Sequence, residues 1–256
     1  MNEKQSNVGF SRRDFVKAVA TTAVVASATN IIGSAQAAEG GQPVEFMSKG
    51  LRCKGLKFVP ADLKAGDKRP CIVLAHGFSA VKEMYFTDYA QAFANAGFVA
   101  IAFDYRFQGE SEGEPRGQIF PWEQIEDFRN AITFAQTQAD VNPDKIGVFG
   151  SSYSGGHVIC LGALDRRIKA VACQVPLVDG WTNFQAIVPR AAGAGMIKYL
   201  ESDRIERFKT GKVNYLPVVA EDNNAVPNTS DSFKWCTETG RTKARRWENR
   251  LPGEPS

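Results

Sequence analysis

Histidine is the scarcest reactive side chain in this 256-residue chain: there are two, His76 and His157, and none beyond position 157. Chemistry that needs an imidazole to carry a proton therefore has few places to find one. Cysteine is also sparse. The five residues are an odd number with no Cys-x-x-Cys pair and no Cys/His cluster at zinc spacing, so neither a metal nor a cofactor is expected. Cys71, Cys160 and Cys173 lie in apolar runs, where small buried thiols are expected to pack. No apolar run reaches the roughly 20 residues that span a bilayer, so no stable membrane anchor is expected. There are no internal repeats. Neither sign of charge dominates: 31 Lys and Arg face 28 Asp and Glu, a formal net charge of +3. Two of those units fall in the first 37 residues, where Lys4, Arg12, Arg13 and Lys17 outweigh Glu3 and Asp14. The remainder is nearly neutral, which excludes a nucleic-acid footprint.

At 43% hydrophobic and 23% charged, the chain can bury one sizeable core with a small cap, but not two full domains. Its first 37 residues read as an address. Paired arginines in Ser11-Arg12-Arg13-Asp14-Phe15 precede a moderately apolar, alanine-rich run from Ala18 to Ile32, then Ala35-Gln36-Ala37. This resembles a twin-arginine signal peptide. It implies export of a folded protein to the bacterial periplasm through the twin-arginine machinery, with residues 38–256 as the mature domain.

Val44–Met47 and Leu51–Val59, joined by Ser48-Lys49-Gly50, predict a hairpin at a sheet edge. The continuous apolar run Cys71–Ala75 predicts a central strand covered on both faces. Met84–Ala96 has helical spacing, and Phe98–Phe103 is a second buried strand. Trp122, Ile125, Phe128 and Ile132 mark the core stripe of a further helix ending near Gln138. A turn at Asn142-Pro143-Asp144 leads into Ile146–Phe149, and Ile168–Val175 gives one more strand. This alternation predicts an α/β fold with a mostly parallel sheet and helices on both faces, its core within 44–175. The strand ends would then bring His76, Asp104, Ser152 and Pro176 to one edge, where a site should form. From 176 to 256 the pattern weakens into a cap region and tail, with a small-residue stretch at Ala191–Gly195 and a basic cluster of Arg241, Lys243, Arg245, Arg246 and Arg250.

Between Phe149 and His157 runs Gly150-Ser151-Ser152-Tyr153-Ser154-Gly155-Gly156. Small residues flank a central serine between a strand and a helix. This suits a turn so tight that the apex side chain, Ser152, is held in a strained conformation and presented as a nucleophile.

With His76-Gly77-Phe78 after the first central strand and Asp104-Tyr105-Arg106 after the second, this elbow resembles the α/β-hydrolase superfamily. The nearer likeness is to serine hydrolases of the dienelactone-hydrolase and X-Pro dipeptidyl-peptidase-like groups. The resemblance implies acyl transfer. Ser152 would attack a carbonyl carbon, with backbone N–H groups of Phe78 and Tyr153 holding the oxyanion. Asp179, past the last clear strand, is the candidate acid, with Asp222 a weaker one, while Asp104 is expected to fix its own loop. The family order places a histidine after the acid, and none is present. His76 is expected to be structural and His157 to pack within its helix. The resemblance thus implies an incomplete domain lacking its last strands. The expected function is an exported hydrolase of small esters or related acyl compounds, impaired in turnover. The alternatives are a non-catalytic periplasmic binding protein, or a fragment completed by a partner chain.

Overall fold

The computed structural model describes residues 40–188, 190–221 and 230–253. The twin-arginine stretch and Asp222 lie outside the described residues. Strands β1 (Gln42–Ser48) and β2 (Leu51–Phe58) form the antiparallel hairpin read from the sequence. Lys49 and Gly50 turn it at φ 48° and 81°, the left-handed pair that matches strand twist in a two-residue loop. Then follow β3 (Arg69–Ala75), α1 (Phe86–Asn95), β4 (Val99–Phe103), α2 (Pro121–Thr137), β5 (Val141–Ser151), α3 (Tyr153–Leu164) and β6 (Ile168–Gln174). The six strands are ordered β1-β2-β4-β3-β5-β6. The last four in that order are mutually parallel, and β2 joins β4 antiparallel.

The unbroken apolar character of β3 follows from its place. Cys71, Val73 and Ala75 enter a core shared with Phe128, Ile132, Val158 and Leu161 of α2 and α3. Ile72 and Leu74 enter a second core, with Phe86, Ala90 and Phe93 of α1 on the opposite face. Both sides of the strand are dry, so neither alternate position can be polar. Parallel register aligns the strand ends: Ala75 lies opposite Phe103 on one side and Gly150 on the other, and Ser151 lies opposite Gln174. The segments beginning at His76, Asp104, Ser152 and Val175 therefore leave the sheet side by side.

Three expectations are corrected. The turn at Asn142–Asp144 does not precede β5 but interrupts it. Arg69 pairs with Val141 and Cys71 with Ile146, so the additional β5 residues bulge out in an Asx turn closed by Asp144 N–H donating to Asn142 Oδ1 at 3.0 Å. Trp122 is 70% exposed rather than core-facing. Polar contacts anchor the first turn of α2 instead: Arg106 bonds the Glu123 carbonyl, and buried Gln124 bonds His157. Cys160 and Cys173 are exposed, unlike Cys71 and Cys53, and all five thiols are free. The reason is topological, since β6 is the edge strand and has no neighbour on its outer side among the described residues. Val171, Val175 and Val178 are likewise open to solvent there.

Beyond β6 come α4 (Gly180–Ile187), α5 (Arg190–Thr210), β7 (Tyr215–Leu216), α6 (Ser230–Thr242) and β8 (Leu251–Pro252), with β7 and β8 paired antiparallel. The small-residue stretch that begins at Ala191 is the start of one 21-residue helix. The tail returns to the loop after β3. Ala244 and Trp247 pack on Val81 and Met84, and the Trp247 indole donates to the Ser79 carbonyl at 2.8 Å.

Candidate active site

Ser152 joins β5 to α3 at φ 55°, ψ −117°. A non-glycine residue there carries strain of about 1–3 kcal/mol, so its surroundings must hold it in place. Its N–H donates to the Gln174 carbonyl at 2.9 Å, and its own carbonyl accepts from Leu177 at 2.8 Å and Gly156 at 3.2 Å. The side chain is exposed. Gly150 makes room for the bend: a Cβ there would lie 2.3 Å from the Ser154 carbonyl oxygen. Across the site, a Cβ on Gly77 would lie 3.2 Å from the Ser152 Cβ, which brings the loop after β3 against the serine.

Phe78 follows in that loop, and Tyr153 begins α3. Among the described residues, the backbone N–H groups of Phe78 and Tyr153 make no hydrogen bond. For Tyr153 this follows from its place in the first turn, where N–H groups have no partner within the helix. The two rings meet edge to face at 5.7 Å.

Neither imidazole reaches Ser152. His76 is buried, with Nδ1 3.1 Å from the Gly77 carbonyl and Nε2 without a hydrogen-bond partner, 3.6 Å from Asp104 Oδ1. Burial lowers its pKa, and nearby Asp104 only partly opposes this. His157 is buried against Tyr153, with ring centroids 4.8 Å apart, and Nε2 lies 2.9 Å from Gln124 Oε1. It packs inside its helix, as the sequence suggests. Burial pushes its pKa down from 6.5 to about 4, with a smaller contribution from His76.

This shift makes a prediction about acid stability. A histidine with a depressed folded pKa binds fewer protons folded than unfolded, so its contribution is whole above pH 6.5 and is lost as pH falls toward 4. Urea titrations at pH 7 and 4.5 are expected to show wild type losing about 2–3 kcal/mol more than His157→Gln, which keeps an amide for Gln124. Equal acid losses in the two proteins would remove His157 from the account.

Asp104 holds its loop, as expected. It is fully buried and accepts from the N–H groups of Lys82 at 2.7 Å and Glu110 at 3.0 Å. The sequence reading missed Lys82. Its Nζ lies 2.8 Å from Asp104 Oδ2, 2.8 Å from Glu110 Oε2 and 2.7 Å from Glu83 Oε1. Burial works against its charge, but the Asp104 charge and these hydrogen bonds raise its pKa above the ordinary lysine value. Tyr105, named in the sequence only as part of Asp104-Tyr105-Arg106, has a contact not foreseen there: its buried hydroxyl meets Ser154 Oγ at 2.9 Å and ties the loop after β4 to the first turn of α3.

Asp179 caps α4. Its Oδ1 accepts from the N–H groups of Trp181 and Thr182 at 3.0 and 3.1 Å, and its Oδ2 from the Thr182 hydroxyl at 2.7 Å. The Thr182 hydrogen bonds hold its pKa below the usual carboxylate value. Its position just past β6 keeps it near the edge from which Ser152 emerges.

The family model of X-Pro dipeptidyl-peptidase (S15 family) matches residues 50–242. The quorum-quenching protein AidA of Acinetobacter baumannii is 32% identical over 74% of this chain and 62% of its own length. The thiohydrolase aneE of Aspergillus aculeatus is 37% identical over 57% of this chain and 44% of its own. The chain thus spans less than two thirds of either relative. The crystal structure of the α/β hydrolase GrgF from Penicillium sp. superposes with a TM-score of 0.66 at 25% identity, covering 84% of this chain and 70% of that one. The family match takes in β3 to α3 whole, and with them both loops and the serine turn. The chain belongs to the X-Pro dipeptidyl-peptidase (S15) family, within the α/β-hydrolase superfamily of serine hydrolases.

Proposed function

We propose that the chain is an exported serine hydrolase acting on small esters, thioesters or related acyl compounds through an acyl-enzyme. The observation that carries this reading is Ser152: exposed, at φ 55° on the strand-to-helix turn, with the Gly77 loop against it. In this reading Ser152 Oγ attacks the acyl carbonyl carbon, and the N–H groups of Phe78 and Tyr153 receive the oxyanion. Amides fixed in advance need no reorientation as charge develops, which is why such donors are worth about 2.7–4 kcal/mol each in the transition state. The rings of Phe78 and Tyr153 favour an apolar acyl or aryl group at the mouth. Asp179 remains the candidate acid, its two carboxylate oxygens capping α4. The thiohydrolase name of one relative supports the thioester class. The paired Arg12-Arg13 supports export, for which recovery in the periplasmic fraction is the direct readout.

A second reading is favoured by the engagement of both histidines away from Ser152. With no imidazole to take its proton, the serine turns over slowly, and the chain acts as a binding protein for the same acyl compounds. A fluorophosphonate probe separates the two. Labelling of wild type that disappears in Ser152→Ala is the result expected of an activated serine. A folded wild type that stays unlabelled, or a Ser152→Ala variant that labels equally, defeats the hydrolase reading.

A further inference from the structure

Between the loop at residues 107–117 and the tail at 245–250 lies a cleft of about 490 Å³. Arg116, Arg245, Arg246 and Arg250 line it, against only two carboxylates, Glu110 and Glu248. Two of the guanidinium groups are answered: Arg250 by Glu248 at 2.5 Å and Arg246 by Glu110 at 3.1 Å. Glu110 is moreover shared with buried Lys82. Arg116 is different. Among the described residues its guanidinium donates only to carbonyls, to Ser111 O at 2.5 Å, Gly109 O at 2.6 Å and Gly113 O at 3.2 Å. The nearby Glu114 carboxylate accepts from the Arg116 backbone N–H instead. The carbonyls fix the plane of a half-buried cation without neutralising it. Among the described residues Arg245 has no acidic partner either, and its side chain is exposed.

A rigid guanidinium, an exposed one lining the same cleft and an excess of positive charge in a concave site are the features that bind carboxylates and phosphates. We propose that this cleft binds an oxyanion-bearing small molecule, its carboxylate or phosphate group seated between Arg116 and Arg245. The volume admits a molecule larger than a bare ion. The floor includes Ser79, one residue from Phe78, so an occupant sits beside the loop that faces Ser152. The site does not depend on acyl chemistry, and binding alone tests it.

Isothermal titration of the full chain with citrate and, separately, with inorganic phosphate is the experiment. Wild type and Ser152→Ala are expected to bind at least one of them alike, and Arg245→Glu to bind it roughly tenfold or more weakly with unchanged thermal unfolding. Arg116→Gln should also lose binding, but it removes loop contacts, so the exposed Arg245 carries the test. Citrate alone points to a carboxylate ligand and phosphate alone to a phosphorylated one. Failure of both to bind wild type overturns the proposal, as does equal affinity in Arg245→Glu. An equal loss on reversing Lys64, which lies before β3 and so at the end of that strand opposite the cleft, overturns it too, because that would mark diffuse attraction.

Discussion

Lys82→Met is expected to lower unfolding stability by about 3–5 kcal/mol, the usual result of removing one partner from a buried ion pair. The Lys82 side chain is 1% exposed, and its ammonium is the counterion of Asp104, which is 0% exposed. Methionine fills the space of the lysine stem but leaves the Asp104 carboxylate with N–H donors and no cation. Adding Asp104→Asn to Lys82→Met is expected to restore part of the loss, because a neutral amide tolerates the site that an unpaired carboxylate does not. The effect should reach the serine. Lys82 and Asp104 fasten the loop after β3 to the loop after β4, and Gly77 of the first loop lies against Ser152. Urea titration of the single and double variants reads the stability, and a single-variant loss under about 1 kcal/mol would show the cluster to be dispensable.

What could be read in the sequence was what neighbouring residues decide. Cys71–Ala75 and Val99–Phe103 are apolar throughout because both faces of each strand are covered, and that pattern is local. The Ser152 turn was legible for the same reason, since its glycine at 150 and its small residues at 154–156 lie within four positions. Lys82 was not. It sits in the mixed loop Ser79-Ala80-Val81-Lys82-Glu83-Met84, which carries no local sign of a charge partner, and only the alignment of two strand ends brings it to an aspartate 22 residues away. Cys160 and Cys173 face outward because β6 is an edge, and strand order is not written in the apolar run itself. The helix over 190–210 was hidden by Gly193, Gly195 and a charged second half, which show no single core-facing stripe. Asp179 illustrates the opposite limit: its place past the last core strand follows from the strand pattern, yet its capping of α4 depends on Trp181 and Thr182 starting a helix.

Gly150→Ala is expected to reduce fluorophosphonate labelling of Ser152 by about 10²-fold, the loss that follows when a reacting group is misplaced by roughly 1 Å. The added Cβ would stand 2.3 Å from the Ser154 carbonyl oxygen and 2.6 Å from its carbon. Both are backbone atoms in the first turn of α3, so no rotamer change relieves the overlap. The turn must swing away from the strand end, and Ser152, whose N–H and carbonyl are pinned to Gln174 and Leu177, lies between the two. Stability should fall by about 1–3 kcal/mol through overpacking, and further for Gly150→Val. Gly180→Ala is the matched control, because a Cβ there meets nothing within 4 Å and its φ is not in the left-handed region. It should label as wild type does. A chain that cannot label at all still answers the packing claim through its unfolding midpoint. If Gly150→Ala instead labels and unfolds like wild type, the bend does not need its glycine, and the strain at Ser152 is not held in place by the close approach of β5 and α3.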